Sequence, residues 1–201
     1  MKYASLLTIT LACLTAVVSS CSKEEETYPN IITEMADLYT NDQGVWEKFT
    51  TDAGITYTIT NSKGDLAPNS IYRILCGYVP SGESAVIYQS QGVYYLRDST
   101  EIAKTDPTEV KSAWRAGHYI NMYLSPLTQG GVQYWGFITD SIKEGHAWVS
   151  LYPNQNNDPL SYTQPTYASI PVDSIKNIQE GDIITLCINT FNGIQTWDFK
   201  K

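Results

Sequence analysis

Four cysteines, two histidines, 15 tyrosines and 5 tryptophans are the residues whose chemistry is weighed first. The sequence has no Gly-x-Ser-x-Gly elbow, no phosphate-cradling Gly-Lys-Ser/Thr loop and no His-Glu-x-x-His pair. Cys76 and Cys187 sit in separate apolar runs, Ile71 to Val79 and Ile183 to Ile188, with no histidine close in sequence. They read as small, unpaired, buried hydrophobes rather than as thiol nucleophiles or a disulfide. His118 and His146 lie 28 positions apart with no partner at ligand spacing, so no metal is expected. The run Asn154-Gln155-Asn156-Asn157-Asp158 offers oxygens to a hard cation, but it lacks the alternating carboxylates and fixed glycine of a calcium loop. It reads as a solvated loop. Carboxylates are numerous, yet no spacing pairs two of them for acid–base work. The expectation is a non-catalytic protein without a cofactor.

The aromatic residues carry more information. From His146 to Tyr152, Ala147, Val149 and Leu151 share one parity, leaving His146, Trp148, Ser150 and Tyr152 on the other. From His118 to Ser125, Ile120, Met122 and Leu124 alternate with Tyr119, Asn121 and Tyr123. Val132 to Thr139 is apolar on both parities, with Trp135 on one of them. If these strands are neighbours in one sheet, their outer face gathers Tyr119, Asn121, Tyr123, Trp135, His146, Trp148 and Tyr152. Such a face has two readings. It is a platform for sugars or a partner, or it is covered by the rest of the protein.

The elements that position these residues follow an N-terminal address. Lys2 precedes an apolar run from Ala4 to Val18, and Val18-Ser19-Ser20-Cys21 resembles a bacterial lipobox. Residues 1–20 therefore read as a lipoprotein signal, and Cys21 as a diacylated N-terminus, since two acyl chains anchor stably where one does not. Residues 21–28, with Lys23 and Glu24 to Glu26, read as an acidic tether of the kind found on surface lipoproteins. Removing twenty residues from 201 leaves 181, and losing Lys2 takes the formal charge from −8 to −9. A chain this acidic does not grip nucleic acid by charge. With 42% hydrophobic and 17% charged residues it is not a disordered tail.

The body reads as all-β. Val45 to Thr51 and Ile55 to Thr60 flank Asp52-Ala53-Gly54 as a hairpin, and Ile71 to Val79 and Ala85 to Gln89 follow as strands. Gln91-Gly92 reads as a turn into Val93 to Arg97. The polar segment Asp98 to Lys111, containing Asp106-Pro107, reads as the domain boundary, with one helical turn at Thr108 to Lys111. His118 to Ser125, Val132 to Thr139, His146 to Tyr152, Tyr167 to Val172, Ile183 to Asn189 and Ile194 to Phe199 complete the strands.

Several segments together resemble the NigD-like lipoproteins of Bacteroidota. They are Cys21 with its acidic follower, Phe49-Thr50-Thr51-Asp52-Ala53-Gly54, Ile71-Tyr72-Arg73-Ile74-Leu75, Gly117-His118-Tyr119-Ile120-Asn121-Met122, and Trp148-Val149-Ser150-Leu151-Tyr152 before the Asn-rich loop. The resemblance implies a small OB-like barrel, placed at residues 29–105 with Ile31 to Tyr39 as its first strand, followed by a β-sandwich at 106–201. It carries no catalytic or ligand residues with it. Its name implies a bacteriocin-immunity association, and hence a protein partner for a lipid-anchored, surface-exposed outer-membrane protein. The alternative is a glycan-binding accessory lipoprotein that uses the aromatic face. A structural envelope component is the third possibility.

Overall fold

The computed structural model describes residues 29–98 and 105–201; residues 1–28, which hold the expected signal, Cys21 and the expected tether, lie outside them. Five strands come first: β1 (Ile32–Thr40), β2 (Trp46–Thr51), β3 (Thr56–Ile59), β4 (Ile71–Ser81) and β5 (Ser84–Gly92). They close into a barrel in the order β1-β2-β3-β5-β4, with β4 returning to pair antiparallel with β1 and β3 pairing parallel with β5. Closure leaves no open edge in this half. The β2–β3 hairpin turns on Gly54, whose φ of +82° is open to glycine at no steric cost. Inside, Phe49 meets Tyr78 edge-on with ring centroids 4.9 Å apart, and Leu38, Ile59, Ile74, Cys76 and Ile87 fill the remainder. Tyr78 hands its buried hydroxyl to Glu34 Oε1 at 2.6 Å.

The second half is a sandwich of two four-stranded sheets. One has the order β6 (Tyr94–Tyr95), β13 (Thr166–Pro171), β8 (Tyr119–Leu124) and β7 (Val110–Ala116). The other has the order β10 (Tyr134–Lys143), β11 (His146–Asn154), β14 (Ile183–Thr190) and β15 (Gly193–Lys200). A two-stranded ribbon of β9 (Leu127–Thr128) and β12 (Tyr162–Thr163) stands beside them. Alternation builds the core: Ala147, Val149 and Leu151 from β11 and Ile184, Leu186 and Ile188 from β14 face Ile120, Met122, Leu124, Ala168 and Ile170 from the opposite sheet. All eleven are buried at 1% exposure or less.

Three expectations change. The turn drawn at Gln91-Gly92 is the end of β5, and Tyr94-Tyr95 pair with β13, so the chain leaves the barrel for the sandwich around Val93 rather than at 105/106. Leu96, 1% exposed, is already part of the sandwich core. The helical turn drawn at Thr108 to Lys111 is extended chain entering β7, where Ala113 packs on the core and the cross-strand pairs to β8 outweigh the polar local sequence. The third concerns the aromatic face. β8 belongs to one sheet and β10 and β11 to the other, so the seven residues do not share a surface.

Candidate functional site

Tyr119 and Asn121 lie where the sandwich meets the barrel. Asn121 breaks the alternation of β8, buried at 0% exposure on the side away from the sandwich core. What covers it is Arg73 of β4, itself 4% exposed. The guanidinium donates to Asp37 Oδ1 at 3.2 Å and Asp52 Oδ2 at 2.8 Å within the barrel. It also donates to Asn121 Oδ1 at 3.0 Å and Ser169 Oγ at 3.2 Å in the sandwich. Asn121 Nδ2 donates to Asp52 Oδ2 at 2.8 Å, and Ser169 Oγ to Asn121 Oδ1 at 2.6 Å. The Tyr119 ring lies 3.8 Å from the guanidinium carbon, and its hydroxyl donates to Asp37 Oδ2 at 2.9 Å. Burial and that bond to Asp37 push the Tyr119 phenol well above its ordinary value. A planar, permanently charged fork suits this network, whose members satisfy one another. Tyr119 and Asn121 thus brace the two halves. A hollow of about 360 Å³ opens beside them, lined by Asp37, Arg73, Tyr95, Arg97 and Tyr119; its Arg73 cation is engaged by two carboxylates, while Arg97 is exposed.

His146, Trp148 and Tyr152 lie on the outer face of the other sheet. His146 stacks on Trp148 with centroids 3.9 Å apart, and its Nε2 lies 2.6 Å from Thr185 Oγ1. Thr185 in turn donates to Asp198 Oδ1 at 2.6 Å. Cys187 shares this face, free and half-buried. Burial, then Asp140 and Asp198, raise its thiol pKa, so it is held as the unreactive thiol. Cys76 is free and buried, and burial pushes its thiol up to about 12.

Trp135 has the opposite orientation from the one drawn for it. It shares parity with the fully buried Phe137 and packs on the edge of the sandwich core. There it lines a cleft of about 400 Å³ where β5, the β5–β6 crossing, the β9–β10 segment and the start of β13 converge. Tyr94 lies against Trp135 with centroids 5.9 Å apart and ring planes 32° apart. Tyr167 lines the cleft from β13 and stacks on Tyr123, its partner across the β8–β13 pair, at 4.8 Å and 15°. Gln91, Gln133 and Gln164 contribute amides, Thr128 and Thr166 contribute hydroxyls, and none of the thirteen lining residues carries a charge. Of the seven sequence candidates, then, Trp135 lines the cleft and Tyr123 supports it through Tyr167.

One loop residue sets the shape of this cleft. Asp158, at the end of the Asn-rich run, turns inward and is 8% exposed. Its carboxylate accepts bonds from the Thr128 hydroxyl, Gln129 N and Gly131 N, each amide at 3.1 Å, and Gln133 Nε2 at 3.0 Å. The Thr128 hydroxyl leads these donors in holding the acid below its ordinary value. A Cβ on Gly131 would lie 2.7 Å from Asp158 Oδ1, so glycine is needed for the approach. Tyr94, Tyr167, Gln91, Gln133, Gln164 and Asp158 were not among the sequence candidates. Only the Tyr94-Tyr95 doublet and Gln164-Pro165 stand out locally, and neither signals a cleft by itself.

Residues 93–201, more than half of the chain, match the family model described as the NigD-like C-terminal beta sandwich domain. The chain belongs to this NigD-like family. The matched segment begins where the chain leaves the barrel, at the crossing to β6. Solved structures share the fold of both halves of this NigD-like chain. A NigD-like immunity protein from Bacteroides caccae is 22% identical with a TM-score of 0.63, covering 86% of this chain and 93% of that one. A candidate toxin-related protein from Parabacteroides distasonis is 15% identical with a TM-score of 0.66, covering 86% and 93%. A candidate lipoprotein from Bacteroides fragilis is 13% identical with a TM-score of 0.56, covering 86% and 97%. No curated protein matches the chain in sequence.

Proposed function

We propose that this NigD-like chain is a non-catalytic binding module, lipid-anchored through Cys21 at the outer membrane and displayed on the cell surface, with a bacteriocin-immunity-like role. The observation that carries the binding reading is the cleft of about 400 Å³, lined by rings, amides and hydroxyls and set on a braced frame. Such groups hold a ligand in place; they are poorly suited to exchanging protons or electrons with it. The immunity role is supported by family membership and by the immunity and toxin-related descriptions of two proteins that share the fold. The lipobox-like Val18-Ser19-Ser20-Cys21 supports the anchor, and the acidic residues after it support display.

Two measurements test this reading. Deleting the gene and exposing cells to bacteriocins from competing strains is expected to raise sensitivity to at least one toxin at least tenfold. Unchanged sensitivity across the panel counts against the immunity role. Replacing Cys21→Ser is expected to move the protein from the membrane fraction to the soluble one and to abolish labelling by radioactive palmitate. Retention of both label and membrane association would sink the anchor.

A further inference from the structure

We infer that the cleft at the barrel–sandwich junction binds a neutral oligosaccharide. The inference rests on the reading of this chain as a binding module and names the ligand class of its cleft. The absence of charge on the lining decides between ligand classes. A phosphate, sulfate or uronate would find no cation there, a basic peptide would find no carboxylate, and nucleic acid is further opposed by a net charge of −8. The Thr128 and Thr166 hydroxyls and the Gln91 and Gln133 amide nitrogens already bond within the protein. A purely apolar ligand would still strand the Gln91 and Gln133 amide oxygens and the Gln164 amide, each costing the desolvation of an unpaired polar group.

A sugar ring meets both requirements at once. Its faces carry C–H groups that pack on aromatic planes, and its edges carry hydroxyls that donate and accept in the plane. The cleft presents both surfaces. Tyr94 is 48% exposed, leaving ring surface free beside Trp135. Tyr162, 53% exposed, stands on β12 opposite Thr128, extending the aromatic rim along the ribbon. Gln133 is fixed by its own Nε2, which donates to Leu127 O at 2.9 Å and to Asp158 Oδ2 at 3.0 Å. Its carbonyl oxygen is thereby held as an acceptor at a set angle, the kind of pre-organisation that discriminates one hydroxyl orientation from another.

The test is calorimetric titration of the full chain in a detergent without a sugar headgroup. One arm uses maltohexaose, xylohexaose and mannohexaose, another neutral host-type N-glycans, and a third the acidic hexamer of galacturonate. At least one neutral probe is expected to bind, and the arm in which it falls separates linear homo-oligosaccharides from branched N-glycans. Tyr94→Ala and Gln164→Ala, both at exposed positions, are each expected to weaken it tenfold or more without changing the melting temperature. Trp135→Ala should abolish binding, with its melting temperature followed because the ring also packs on the core. Trp148→Ala, on the outer face of β11 and away from the cleft lining, should bind as the natural chain does. No neutral binding, binding of galacturonate alone, or neutral binding that survives both Tyr94→Ala and Gln164→Ala would overturn the inference. Sugar binding alongside unchanged bacteriocin sensitivity would instead fault the immunity role and leave the cleft standing. Toxin protection without sugar binding would do the reverse.

Discussion

The Asp158 carboxylate gathers four donors from the segment Thr128 to Gln133 and so folds one wall of the cleft around a single anion. An acid held by donors to its charged form has a folded pKa below its unfolded value. Its stabilising contribution is therefore present above the unfolded pKa, about 3.8, and is lost as pH falls through the depressed folded value. Carbon-13 NMR titration of the Asp158 carboxyl is expected to give a midpoint below the ordinary 3.8. The Gln129 and Gly131 amide signals should shift with the same midpoint. A midpoint at or above 3.8 would mean that the carboxylate does not organise this wall. The run Asn154 to Asp158 reads in the sequence as a solvated loop, because nothing local shows that its last residue turns inward. The donors it satisfies lie 25 to 30 positions earlier in the chain.

At the scale of elements, alternation located most strands and failed where burial is decided by distant neighbours. β11 was legible because its even and odd residues differ in kind, and the structure buries Ala147, Val149 and Leu151 as that pattern requires. β7 was not, because Lys111, Ser112 and Arg115 give it no apolar stripe and its strand state comes from pairing with β8. Sequence does not decide which way Trp135 faces, because β10 is apolar on both parities and only the position of Phe137 in the core decides between them. Which strands share a sheet is non-local information that one chain's periodicity does not contain. The β7–β8 turn illustrates the same dependence. Gly117 has φ +51°, and a Cβ there would lie 2.5 Å from the Asp52 carbonyl oxygen of the barrel. Gly117→Ala must therefore move the turn off the barrel, and is expected to cost about 1–3 kcal/mol in urea denaturation. A loss under about 0.5 kcal/mol, the size of an ordinary surface change, would show that the approach is not close in solution.

For the whole molecule, the question is whether barrel and sandwich are two folding units or one. Each has its own core, and only Val93 separates the last barrel strand from the first sandwich strand. A short connection alone would still let the two melt separately. Arg73 changes that, because its buried cation is shared between carboxylates of one half and an amide and hydroxyl of the other. Unfolding either half exposes one set of partners and leaves the remainder facing an incompletely satisfied charge, so opening one half penalises the other. The natural chain is therefore expected to melt in a single calorimetric transition whose van't Hoff and calorimetric enthalpies agree. Arg73→Met fills similar space but leaves Asp37 and Asp52 without their cation. It should lower stability by about 3–5 kcal/mol and split the melt into two transitions. Two separate transitions in the natural chain would refute the coupling, as would an Arg73→Met variant that still melts once with little loss. The coupling also bears on binding, because the cleft draws Gln91 from the barrel and Trp135 and Gln164 from the sandwich. A junction that rocks would change the spacing between those walls, so Arg73→Met should weaken any cleft ligand at temperatures where both halves are still folded.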